Sequence, residues 1–188
     1  MVHTTKARDS SSTSPSDVVE DRSSSDASLI AELTSADVQR RLHAQHNLIN
    51  RARAAVPALI GALDDEDPHL RSAVAQVLAV IAEPSTAPAL AARLSDEVAP
   101  VRWIAAEGLV ALRGPGLMAA LHTLVNVEAM SPQLKAAVRH ILLKLRDDAR
   151  LGEVVKPVIA AMHNLEVDEM ILVEAHKALS KLKGWTER

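Results

Sequence analysis

The sequence predicts an all-α fold, a short right-handed solenoid of five antiparallel helix pairs. Three observations carry this. Residues 56–71 (VPALIGALDDEDPHLR) return 31 residues later as 87–102 (APALAARLSDEVAPVR), with seven of sixteen positions identical. A repeat of that period marks units that bury their apolar sides only against their neighbours. From Asp26 onward the apolar residues recur at i, i+3, i+4, and no segment alternates with the period of a strand. Pro68, Pro100 and Pro132 fall 32 residues apart, each beside an acidic or serine-containing turn, where proline suits a first helical turn.

Residues 1–27 come first and stand outside that pattern. They hold eight Ser, five acidic and three basic residues. Such a stretch cannot bury enough apolar surface to offset its chain entropy, so it reads as a disordered, solubilising tail. The repeat domain then runs over 28–188. Its first helix pair reads as 27–34 and 36–50, and the second as 54–63 and 68–82, with Asp67 as a cap ahead of Pro68. The third pair is 86–94 and 100–113. The fourth is 117–126 and 132–146, with Ser131 as the cap. The fifth is 151–163 and 168–183. Glu83-Pro84-Ser85 and Gly114-Pro115-Gly116 read as turns between pairs, and Trp185 as lying just past the last helix.

Composition fits closely spaced helices. Hydrophobic residues make up 48% of the chain but aromatics only 1%, so the core must be built from Ala, Leu, Val and Ile. The net charge of −3 gives no push toward nucleic acid, for which a basic domain is expected. The absence of Cys excludes disulfide and thiolate chemistry. No N-terminal apolar core marks a secretory signal, and no run approaches 18 apolar residues. The expectation is a cytoplasmic protein with no membrane partner.

The repeat units resemble HEAT repeats, and among them the short bacterial HEAT-like repeats. The family pattern has a first helix of the form V-P-x-L-x-x-x-L, an acidic turn, and a second helix with hydrophobic-Arg, two spacers, two small residues and a Leu. Leu70-Arg71, Val74-Ala75 and Leu78 match it, as do Val101-Arg102, Ala105-Ala106 and Leu109. The fourth pair keeps Leu134-Lys135, Val138 and Leu142. The first keeps Arg41, Ala44 and Leu48. The fifth keeps Ala175 and Leu179 but has Leu172 where the basic residue belongs. Degenerate end repeats suit units that cap a solenoid. The resemblance implies that the second helices line a concave face.

Arg71, Arg102 and Lys135 recur once per repeat, close after an acidic turn. They read as a structural ladder in which each cation reaches turn carboxylates such as Asp65, Asp96 or Glu97. The informative residues are those facing away from the core. In the helix at 101–112, Val101, Ala105, Gly108, Leu109 and Leu112 share one side, and Trp103, Glu107 and Val110 the other. Carrying that register along the chain gives Leu42, His46 and Ile49, then Ser72, Gln76 and Ala79. Ala136, His140 and Leu143 follow, then Val173, Lys177 and Ser180. This stripe is more apolar than a solvated face needs to be, which points to an interaction site. Trp103 is its natural anchor, because Trp is the residue most enriched in binding hot spots. Trp103, Glu107, Val110, Gln76, His140, Leu143 and His46 are therefore the candidate partner-binding residues.

Catalytic signals are weak. His43 and His46 have metal-ligand spacing but no acidic or further His ligand beside them, so they read as surface polar residues; His140, His163 and His176 are spread over two repeats. The HEAT-repeat enzyme deoxyhypusine hydroxylase holds two irons with His-Glu pairs, and this chain has no His-Glu dipeptide. The HEAT-like DNA glycosylases need a basic, aromatic-rich groove; here the Arg40, Arg41, Arg51, Arg53 cluster is confined to the first pair. There is no phosphate loop, nucleophile elbow or calcium loop. The reading is a non-enzymatic, monomeric scaffold or adaptor with no cofactor or metal, binding another protein on its concave face. Five pairs spaced at about 8–10 Å make an arc of roughly 50 Å, enough to cradle a helix. The alternative is a phycobilin-lyase-like or chaperone-like subunit handling a chromoprotein, as the resemblance to that repeat type implies.

Overall fold

A computed structural model describes residues 24–163 and 168–186. The tail over 1–23 therefore lies outside the described residues, as do 164–167 and 187–188. The described residues form ten α-helices: α1 (Asp26–Glu32), α2 (Val38–Arg51), α3 (Val56–Ala62), α4 (Pro68–Ile81), α5 (Ala87–Ala92), α6 (Ala99–Ala111), α7 (Gly114–Asn126), α8 (Pro132–Leu145), α9 (Gly152–His163) and α10 (Asp168–Thr186). They are the five expected pairs. Three details differ from the sequence reading. α1 begins at Asp26, within the stretch read as tail. Gly114-Pro115-Gly116 is the first turn of α7, with Pro115 at a position that needs no N–H. Trp185 lies inside α10.

Helix starts are set by side-chain caps. Ser25, Asp37, Asp67 and Ser131 each accept a hydrogen bond from a backbone N–H of the first turn that follows. Pro68 and Pro132 come directly after two of these caps. The core is one continuous cluster of Leu, Val, Ala and Ile drawn from all ten helices. Small residues set its spacing. A Cβ on Gly108 would come within 3.0 Å of Leu90 and 3.4 Å of Ala79, so glycine lets α6 lie close to α4 and α5. A Cβ on Gly116 would meet the Leu109 carbonyl oxygen at 1.9 Å, so the start of α7 sits directly on the end of α6.

The first helices form one layer, in which α1 packs on α3 and α5 on α7. The second helices form the other, with α2 on α4, α4 on α6 and α6 on α8. The last pair breaks this order. α9 packs against α8 rather than α7, and α10 packs against α7 rather than α8. The direction is antiparallel. Leu182 and Trp185 near the end of α10 lie beside Gly114, Pro115 and Met118 at the start of α7. His163 at the end of α9 reaches back to Arg139 in α8, at 3.3 Å. Helices α7 to α10 thus close the solenoid as an up-down-up-down bundle.

The backbone supplies a reason. Links from the first, second and third pairs each contain a residue with positive φ: Ala52 (45°), Ala82 (50°) and Arg113 (54°). These positive-φ residues, of which Ala82 is in the left-handed helical region, lie at or just past the ends of α2, α4 and α6, where the chain turns back into the other layer. No described residue between α8 and α9 has positive φ. There Asp148 accepts the N–H groups of Arg150 and Leu151 at 2.8 and 2.9 Å, and the chain doubles back along α8.

Candidate interaction face

The recurring cations sit in the first turns of the second helices. Arg41 donates Nη1 to the carbonyls of Ser35 and Ala36, Arg71 to those of Asp65 and Glu66, and Arg102 to those of Asp96 and Glu97. Each guanidinium thereby ties down the turn of its own repeat. Arg71 does more. Its Nε and Nη2 hold both oxygens of Asp96, in the next repeat's turn, at 2.9 and 2.8 Å. Both residues are buried, at 6% and 9% exposed. Burial alone would raise the Asp96 carboxyl. The Arg71 hydrogen bonds, the Val98 N–H and the charges of Arg71 and Arg93 outweigh it and hold the group below the usual carboxylate range. The hydrogen bonds that Arg71 donates to Asp96 in turn raise the guanidinium further. Lys135 makes a different contact, an ion pair with Asp168 at the start of α10, at 2.5 Å; Asp65 caps Asp67 N–H at 2.8 Å and remains exposed.

Trp103 projects from α6 and is 56% exposed. Its indole stacks on the His140 ring of α8, with centroids 4.3 Å apart and planes tilted by 47°. His140 Nε2 is 2.5 Å from Glu107 Oε1, one turn along α6. Three residues flagged from sequence therefore form one unit that bridges two repeats. Beside it lies an open groove of about 430 Å³. Its walls include Ala99 and Ala106 on α6 and Ala136 and Ala137 on α8, and Arg102 also lines it. The alanines leave room for inserted side chains, and the volume is within the range of ligand clefts.

The rest of the stripe divides. His46 and Gln76 are exposed on α2 and α4, while Val110 and Leu143 are half-buried and pack against the core. Val173, Lys177 and Ser180 do not extend the stripe, because α10 lies along α7 in the other layer. Ala79 faces Gly108 across the α4–α6 contact. The exposed residue there is its neighbour Val80, 62% exposed and missed in the sequence reading. Leu42 on α2 is also exposed. Of the histidines, His43 bonds Asn47 within α2, and His163 and His176 cap carbonyls of their own helices. Among the described residues no group of three His, Cys, Asp or Glu could hold a metal ion.

Residues 27–110 match the family model for HEAT repeats, spanning α1 through nearly all of α6. Over that stretch the chain carries HEAT repeats. No curated protein matches it. HEAT repeats generally mediate protein–protein interaction. Among the described residues, no helix is long and apolar enough to cross a membrane.

Proposed function

We propose that this chain is a non-enzymatic adaptor that holds a partner protein against the concave side formed by α2, α4, α6 and α8. The observation that carries the reading is the Trp103 unit. A large indole is left more than half exposed, yet it is held in place by His140, which Glu107 in turn orients. An exposed aromatic held in one position gives up little conformational freedom on binding, which is the property of a hot-spot anchor. The adjoining alanine-lined groove gives a partner side chain somewhere to go. Leu42, Gln76 and Val80 continue the contact surface toward the first repeat.

The test is site-specific crosslinking. A photo-crosslinking amino acid at position 103 should capture a discrete protein partner. The same group at Lys156, exposed on α9, should not. Equal capture from both positions, or none from position 103, would refute the reading.

A further inference from the structure

Arg71 and Arg102 occupy the same place in successive repeats, and only one of them is fully used. Both follow the N-cap of a second helix by four residues, and both donate Nη1 to two carbonyls of their own turn. Arg71 then places its remaining edge, Nε and Nη2, on the carboxylate of Asp96. Asp96 stands two residues before the N-cap Val98. The position two before the next N-cap, Ser131, is Ala129. The turn that should supply a carboxylate to Arg102 therefore has a methyl group instead. Among the described residues, Nε and Nη2 of Arg102 make no hydrogen bond, and no carboxylate lies within 4.0 Å of its guanidinium. Glu128 is exposed and pairs with nothing described.

Arg102 is also one of the residues that line the groove beside Trp103. We infer that the groove takes an acidic–aliphatic peptide segment of a partner protein, whose carboxylate docks on Arg102 as Asp96 docks on Arg71 while a neighbouring aliphatic side chain enters the alanine-lined groove against Trp103. Charge complementarity favours this occupant. Arg102 spends its bonds only on neutral carbonyls, so its charge is not matched by any described carboxylate. Its guanidinium is already held in position by those bonds, so a bidentate partner adds contacts without ordering the side chain anew. The apolar walls select what accompanies the acid. The inference rests on the reading of this layer as a protein-binding face, and gives that face its partner chemistry.

The experiment is selection of random peptides displayed on phage against the full chain, followed by affinity measurements with synthetic versions of the peptides recovered. Wild type should enrich sequences that pair Asp or Glu with Leu, Ile or Val, and Trp103→Ala should lose them. Exchanging the peptide's acid for its amide should weaken wild-type binding about tenfold to a hundredfold, the usual worth of a charged hydrogen-bonded pair. Two variants probe Arg102 from opposite sides. Arg102→Gln removes the charge. Ala129→Asp rebuilds the carboxylate of the preceding repeat and should fill the site from within the chain. Against either variant the acid-to-amide exchange should make no difference. Trp103-dependent peptides with no acidic enrichment, or acidic peptides bound equally by Ala129→Asp, would overturn the carboxylate site and leave the binding face standing. No Trp103-dependent peptide at all would overturn both.

Discussion

Replacing Asp96 with Ala should be among the most damaging single changes in this chain. The carboxylate accepts Nε and Nη2 of Arg71 and the N–H of Val98, all at 2.8–2.9 Å, and Arg93 Nη1 lies 3.7 Å away. Truncation leaves a guanidinium whose side chain is 7% exposed without its counter-charge. Removing one partner of a buried pair costs about 3–5 kcal/mol. That is a large part of the roughly 5–15 kcal/mol that holds a typical domain together. Asp96→Asn should cost less, because the amide oxygen can still accept one of those bonds, at about 1.5–3 kcal/mol for the lost charge-assisted bond. Glu97→Ala provides the comparison. Glu97 is 3.8 Å from the same guanidinium, but its side chain is 84% exposed, so water and salt screen it and the loss should be about 0–1 kcal/mol. The assay is urea unfolding followed by circular dichroism. Asp96→Ala no more destabilising than Glu97→Ala would refute the reasoning.

Other outcomes follow from the same structure. The Asp96 carboxyl is held below its usual range, so the unfolded chain takes up its proton first. The stability from this pair should therefore be present in full above the ordinary Asp value of about 3.9 and fall away as pH drops through the lower folded value. Asp96→Asn should lack that part of the acid limb, and an unchanged acid limb would count against it. Gly116→Ala should cost at least about 2 kcal/mol, because its Cβ meets backbone that cannot step aside. Gly61→Ala, where nothing lies within 4 Å, should gain roughly 0.5–1 kcal/mol from helix propensity. Ala82 sits at φ 50° and ψ 38°, so Ala82→Gly should raise the midpoint of unfolding by relieving about 1 kcal/mol of left-handed strain. Thermal denaturation of these three variants checks the signs.

The periodic features could be read directly. The repeat at 56–71 and 87–102 marks α3, α4, α5 and α6 because turn acids, core Leu and the Arg after the cap are local requirements of each unit. The Trp103, Glu107 and His140 positions also followed from helical register. Their mutual contact did not, since it depends on how far α8 is displaced along α6. The order of the last pair was hidden for a different reason. Helical periodicity states which side of α9 and α10 is buried, but not which neighbour buries it. The deciding signals are backbone angles at Ala52, Ala82 and Arg113, and none of these is the glycine that advertises a left-handed residue. Val80 was missed by one residue, because a 100° step makes positions 79 and 80 near-equivalent until Gly108 is seen to draw Ala79 inward. Arg102 was grouped with Arg71 by sequence. Only the hydrogen bonds show that the two differ in what they still have to offer.

The central claim is that Trp103 anchors a partner. Its most direct test is calorimetric titration of the partner captured at position 103 into wild type and into Trp103→Ala, with equal thermal stability of the two chains established first. Truncation of a hot spot costs about 2 kcal/mol or more, so the account predicts a loss of affinity of roughly thirtyfold or greater. A folded Trp103→Ala chain that binds with undiminished affinity would contradict it.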